Sequence, residues 1–143
     1  MHSTERSNAV TGHEFVSHQS AVDESEFALS VGFSRDPADE DSLDGLVLQR
    51  GRGAEDDTPG IGGVYVEIPI QRHVVYGGIT EAILRGDSFV LRFDESTALK
   101  MRGFHQILVR FDLPDEEFTT IRDGLRFVFS GCSCYREDYE RAG

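Results

Sequence analysis

Ile79-Thr80-Glu81-Ala82-Ile83-Leu84-Arg85-Gly86-Asp87-Ser88-Phe89-Val90-Leu91-Arg92-Phe93 is the stretch on which the fold turns. Two apolar runs, Ile79 to Leu84 and Phe89 to Phe93, flank Arg85-Gly86-Asp87-Ser88. Short apolar runs on either side of a Gly-containing link read as a β-hairpin, with Gly86 supplying the positive φ of a tight turn. Arg85-Gly86-Asp87 matches a cell-adhesion tripeptide, but its place in the link makes it turn chemistry. Gly77-Gly78 reads as a bulge or sharp bend that leads into the hairpin.

Downstream, Asp94 to Met101 reads as a short helix, with Asp94 or Ser96 able to cap it and Gly103 beyond its end. Ile107, Val109 and Phe111 share one face of a further strand. A second helix opens at Asp112-Leu113-Pro114-Asp115-Glu116-Glu117. Pro is tolerated in a first turn because the N–H it lacks would be unpaired there, and the carboxylates offset the positive helix end. Phe118, Ile121, Leu125 and Val128 form its apolar stripe, and Gly131 marks its end. Gly124 in the middle weakens the helix.

Upstream, Glu14 to Ser20 alternates weakly. Phe27, Leu29, Val31 and Phe33 then make the buried face of a clear period-2 strand, with Asp23-Glu24-Ser25 as the connection between the two. Arg35 to Leu46 is a polar loop, and Leu46 to Gln49 a short strand. Residues 51–63 are too rich in Gly and charge to form an element. Val64, Val66 and Ile68 make another strand face, with Tyr65 and Glu67 opposite, until Pro69 ends or edges it. The fold expected is α+β: a mostly antiparallel sheet of about six strands, with the C-terminal helix and one short helix packed on one face. Residues 1–12 are expected to be a disordered tail, 13–131 a single domain and 132–143 a charged tail.

The 143 residues suit one domain, and 38% apolar content with ten Phe suffices for one core. Twenty-six acidic residues against 14 basic give a formal net charge of −12. Such a balance repels phosphates and anionic lipid, so neither nucleic acid nor a membrane surface is an expected partner. It favours a basic protein partner, or it serves solubility alone; charge by itself leaves both open. The amino terminus lacks an apolar h-region and no run is long enough to span a bilayer, so the expected location is cytoplasmic.

No assembled active site is legible. Cys132-Ser133-Cys134 offers two thiols where zinc wants four ligands, and neither His73 nor His105 has the spacing to complete a site. His13 and His18 lie five apart, on opposite faces of a strand. Ser130-Gly131-Cys132-Ser133 is not a nucleophile elbow. Gly60 to Gly63 precedes a strand where a phosphate loop must precede a helix. Glu67 is the carboxylate on the most apolar strand, and its parity points it to solvent. The expectation is no enzyme, no metal and no cofactor.

Val64-Tyr65-Val66-Glu67, Tyr76-Gly77-Gly78-Ile79, the Leu84 to Phe93 hairpin and Ile107 to Phe129 resemble, in order and spacing, the immunity protein 10 family of bacterial polymorphic toxin systems. Within the last of these segments Arg110-Phe111-Asp112-Leu113-Pro114-Asp115-Glu116-Glu117 carries the likeness, and Phe27 to Gly32 corresponds to the family's early strand. The resemblance implies a cytoplasmic protein that binds and neutralises a cognate toxin without catalysis of its own. Many such toxins are nucleases with basic substrate surfaces, where carboxylates can occupy the positions of phosphates. On that reading the partner-binding residues are the clustered loop acids Asp39, Glu40, Asp41, Asp44, Glu55, Asp56 and Asp57. Tyr65, Glu67 and Tyr76 join them as strand residues, the tyrosines as aromatic anchors. The alternatives are a small-molecule-binding or enzymatic domain with a pocket around Tyr65, Glu67, Tyr76 and His105, or a regulatory module for another protein.

Overall fold

The computed structural model describes residues 12–35, 45–51, 64–68 and 78–139, together with the backbone of residues 73–76. In chain order the elements are β1 (Gly12–Ser17), β2 (Gln19–Glu24), β3 (Ala28–Ser34), β4 (Gly45–Gly51), β5 (Val64–Ile68), β6 (His73–Tyr76), β7 (Ile79–Arg85) and β8 (Ser88–Phe93). Then come α1 (Glu95–Lys100), β9 (Gln106–Phe111), α2 (Asp115–Val128) and β10 (Tyr135–Asp138). The expected hairpin is β7–β8, paired antiparallel with Leu84 opposite Phe89. Gly86 is not its left-handed residue: positive φ falls instead at Gly78, Gly103, Gly131 and Arg102. Gly78 is tightly held, since a Cβ there would lie 1.9 Å from Thr97 Oγ1. Asp94 caps α1 as read from sequence, its Oδ1 accepting from Thr97 N at 2.8 Å.

The strands build two sheets rather than one. The first has the order β1-β9-β8-β7-β10 and the second β2-β3-β4-β5-β6. The fold is α+β and mostly antiparallel; the parallel pairs are β1 with β9 and β10 with β7. The single weak strand expected over Glu14 to Ser20 is two strands broken at His18, where the chain leaves the first sheet for the second. Ser17 makes this joint. Its buried hydroxyl donates to Gln19 O at 2.7 Å, and its carbonyl accepts from Asp112 N, while His18 N donates to Ser34 O. The inward parity switches at the break, from Phe15 and Ser17 to Ser20 and Val22, and the weak pattern of residues 14–20 carries no sign of it, so only long-range pairing distinguishes one strand from two.

The connection expected at Asp23-Glu24-Ser25 falls slightly later. β2 runs through Glu24, and Ser25 Oγ accepts from Phe27 N and Ala28 N to close the turn. Phe27, counted with the buried face, is therefore a turn residue and 74% exposed. The rest of that face, Leu29, Val31 and Phe33, is buried as its parity requires.

The second helix lies against the inner face of the second sheet, over β2, β3 and β4. Its stripe of Phe118, Ile121, Leu125 and Val128 is fully committed to the core. Arg50 fastens the other end: its Nη1 donates to Val128 O at 3.2 Å and Ser130 O at 2.6 Å, satisfying carbonyls that the helix leaves unpaired. Both sheets and the helix share one core, in which Phe33 stacks on Phe89 and Phe111 (centroids 6.0 and 5.6 Å) and Phe89 meets Phe129 at 6.4 Å.

Part of the expected charged tail is structured. Tyr135–Asp138 forms β10, the outermost strand of the first sheet beside β7. Its parallel pairing follows from topology: β9, α2 and β10 form one crossover that steps past β8 and β7. The residues expected to be a disordered N-terminal tail lie outside the described residues, except Gly12, which opens β1.

Candidate functional site

Period-2 alternation that fills the core from the second sheet also determines what its other face shows. Val22, Leu29, Val31, Phe33, Leu46, Leu48, Val64, Val66 and Ile68 turn inward. Outward go Ala21 and Asp23 from β2, Ser30, Gly32 and Ser34 from β3, Val47 and Gln49 from β4, and Tyr65 and Glu67 from β5. Register aligns them in cross-strand rows. One is Asp23, Ser30, Gln49 and Tyr65; the next is Ala21, Gly32, Val47 and Glu67. Ala21 and Gly32 carry so little side chain that the face is hollow there, an open groove of about 350 Å³ bordered by Asp23, Ser30, Ser34 and Val47.

Tyr65 and Glu67, read from sequence as partner-binding residues, do share this face. The phenol of Tyr65 donates to Glu67 Oε1 at 2.5 Å, and both side chains are half-buried. Tyr76 stands directly opposite Tyr65 in the β5–β6 register. The acids Asp39, Glu40, Asp41, Asp44, Glu55, Asp56 and Asp57 lie outside the described residues. Their two loops link β3 to β4 and β4 to β5, so they attach at opposite ends of β4.

The two outward sheet faces differ in charge. On the first sheet, Arg92 and Arg136 both reach Glu81, at 2.5 and 3.0 Å, and Arg110 pairs with Glu14. These hydrogen bonds hold the Glu81 carboxyl below the ordinary carboxylate range, Arg92 contributing most. On the second sheet, Arg50 is the one basic residue among the described residues of β2 to β5. Its guanidinium is spent inward, on the helix carbonyls. Among the described residues of β2 to β5, the outward face is left with Asp23 and Glu67 and no Lys or Arg.

Among the described residues, His105 is not grouped with Tyr65 and Glu67 as the enzymatic alternative requires. His105 belongs to the approach to β9 in the first sheet, while Tyr65 and Glu67 belong to the second. His105 Nδ1 is buried without a hydrogen-bond partner, and the backbone oxygen of His105 accepts from Phe93 N. A second cavity, about 210 Å³, lies between the β7–β8 turn and the start of α2. Phe111, Leu113, Phe118 and Ile121 line it with Asp87 and Asp115, without a His or Cys. Cys132 and Cys134 sit between α2 and β10. Burial, and then the neighbouring Cys132, pushes the Cys134 thiol up to about 12, far from the thiolate that nucleophilic or metal chemistry needs. His13 stacks on Phe104 at 5.2 Å, and His18 Nδ1 lies 3.0 Å from Asp112. Among the described residues no three His, Cys, Asp or Glu side chains are grouped to hold a metal, and no helix is long and apolar enough to cross a membrane.

Sequence reasoning named Tyr65 and Glu67 but missed Asp23, Ser30, Gly32, Val47 and Gln49 as their companions. The alternation that marks them as outward is present in each strand. Which strands lie side by side, and in what register, is not.

No curated protein matches this chain. A family model does: that of immunity protein 10, over residues 16–119. The matched span takes in the whole second sheet, the β7–β8–β9 meander and the opening of α2, leaving out most of the helix and β10. It runs through every strand that forms the acidic outward face, and on that extent the chain belongs to the immunity protein 10 family, an immunity protein of a toxin system.

Proposed function

We propose that this protein binds a cognate toxin of basic surface, of the kind a nuclease presents, and neutralises it by covering that surface in the cytoplasm. Charge carries the reading: a net of −12 on 143 residues, combined with a sheet face whose described residues include carboxylates and no Lys or Arg. A nuclease must attract phosphates, so its working surface is basic, and an acidic protein meets it with a favourable field and a fast encounter. Asp39, Glu40, Asp41, Asp44, Glu55, Asp56 and Asp57 add to that field from loops attached at either end of β4. Tyr65 and Tyr76 supply the aromatic area in which binding energy concentrates. The protein contributes no catalysis to this: inhibition by occlusion needs a complementary surface, not a reacting group.

Co-expression with the product of the adjacent gene tests the reading. The expected result is growth restored by the immunity protein and a complex that survives purification. Toxicity unchanged by co-expression, with no complex formed by the purified proteins, overturns it.

A further inference from the structure

We infer that the outward face of the second sheet is the toxin-docking surface, and that the hollow over Gly32 receives a lysine- or arginine-bearing segment of the toxin. The inference rests on the toxin-binding reading above and adds to it a place and an orientation.

Three observations point to this face. The first is shape. Gly32 and Ala21 stand side by side in the middle of two neighbouring strands, and Ser30 and Ser34 flank them, so the sheet is lowered over its edge strand β2 and the adjacent β3. The resulting groove, about 350 Å³, has the volume of one or two side chains and stays open along its length. Nothing in the fold requires glycine there. A Cβ on Gly32 would meet only Leu46 O, at 4.0 Å, and its backbone is outside the left-handed region that glycine alone favours. The hollow is thus a property of the outward surface and not a by-product of packing.

The second is charge. Asp23 lines the groove and Glu67 lies beyond its Val47 side, while Arg50, the one basic residue within the described strands β2 to β5, is turned inward to the carbonyls of α2. On the contrasting face of the first sheet, Glu81 is already answered by Arg92 and Arg136, and Glu14 by Arg110. An incoming cation finds carboxylates on the second sheet that no arginine among the described residues engages.

The third is the Tyr65–Glu67 pair. A phenol that donates to a carboxylate presents an aromatic ring together with a negative group held in place. A guanidinium stacks on such a ring while its N–H groups reach the carboxylate. The stem of an arginine or lysine lies against Val47 and Ala21, the apolar part of the floor, with its charged head at the rim. The cavity between the β7–β8 turn and α2 also carries two acids, but it opens at the positive end of a helix, which opposes a cation.

The test fills the groove without touching the core. Gly32→Arg, Gly32→Glu and, on the outward face of the first sheet, Val16→Arg are compared with the parent for affinity to the toxin encoded by the adjacent gene. Gly32→Arg should weaken binding by about 100-fold, because it adds both bulk and a like charge. Gly32→Glu fills the same space with the tolerated sign and should weaken binding several-fold less. Val16→Arg should bind as the parent does. Ser30→Arg, one row away on the same floor, repeats the test should Gly32→Arg fail to fold, folding being read by circular dichroism. Parent-like affinity in a folded Gly32→Arg or Ser30→Arg overturns the docking surface while leaving toxin binding intact. A parent protein that forms no complex with the toxin removes the toxin-binding reading itself, and this inference with it.

Discussion

Gly124 shows how a residue can be misjudged from its own propensities. In an exposed helix Gly costs about 1 kcal/mol relative to Ala, so sequence treats it as a weak point. Here the helix lies so close to the second sheet that a Cβ on Gly124 would fall 2.8 Å from Val31 Cγ2 and 3.3 Å from both methyls of Val22. Both neighbours are β-branched and have little rotamer freedom with which to retreat. Gly124→Ala should therefore destabilise the protein by about 1–2 kcal/mol in urea unfolding, overpacking outweighing the gain in helix propensity. A more stable variant would show that helix and sheet separate easily. The next residue gives the opposite test. Leu125 is fully buried, and Leu125→Ala should cost about 2–5 kcal/mol through lost transfer energy and a residual cavity. A loss below about 0.5 kcal/mol would place the stripe in solvent. Leu125 was legible as core from its spacing; the function of Gly124 was not, because no sequence pattern reports how near another element comes.

At the scale of elements, the least expected feature is β10. Residues 135–138, Tyr-Arg-Glu-Asp, are polar enough to read as a tail. The strand is held less by its own residues than by what they meet. Tyr135 lies flat on Phe129 at 5.4 Å, and Tyr139 meets Phe118 edge-on at 5.1 Å. Glu137 takes both nitrogens of the Arg126 fork at 2.7 Å, together with the phenols of Tyr135 and Tyr139. Arg126 above all, then the two tyrosines, holds the Glu137 carboxyl down at about 2, against an ordinary value of 4.5. A carboxyl depressed in the folded state stabilises above its unfolded value and loses that contribution as pH falls through its folded one. The clasp between β10 and α2 should thus be fully present above pH 4.5 and fade between 4.5 and about 2. Unfolding free energies measured across that window should fall for the parent, and fall less for Glu137→Gln, which is already weaker at neutral pH. Equal slopes for the two proteins would show that Glu137 has no part in the acid response.

At the scale of the whole molecule, charge governs behaviour that no single contact does. With a net of −12, association with a basic partner should slow as salt is added, since ions screen the attraction over about 10 Å at 0.1 M. Neutralising Asp39, Glu40, Asp41, Asp44, Glu55, Asp56 and Asp57 together should lower the association rate and flatten its salt dependence. Truncating Tyr65 should act instead on dissociation. Association rates that match the parent at every salt concentration would take those loops out of the encounter. Melting with and without a strong chelator should superimpose, given that the described residues bring no metal-binding group together; a fall of many degrees would reveal a structural metal.

Sequence by itself determined the parts whose causes are local. Alternation picks out the inward residues of β3 and β5, a Gly-centred link joins β7 to β8, and Asp94 and the 3-4-3 stripe define the two helices. It also supplied the charge on which the proposal of a basic partner rests. Tertiary structure alone decided that the strands divide into two sheets at His18, that a polar segment is drawn into β10, and that Ala21, Gly32, Val47 and Glu67 fall into one row. Each of these depends on which distant strand becomes a neighbour. Period 2 orients a side chain in or out and is blind to pairing, because a strand has the same pattern whatever lies beside it.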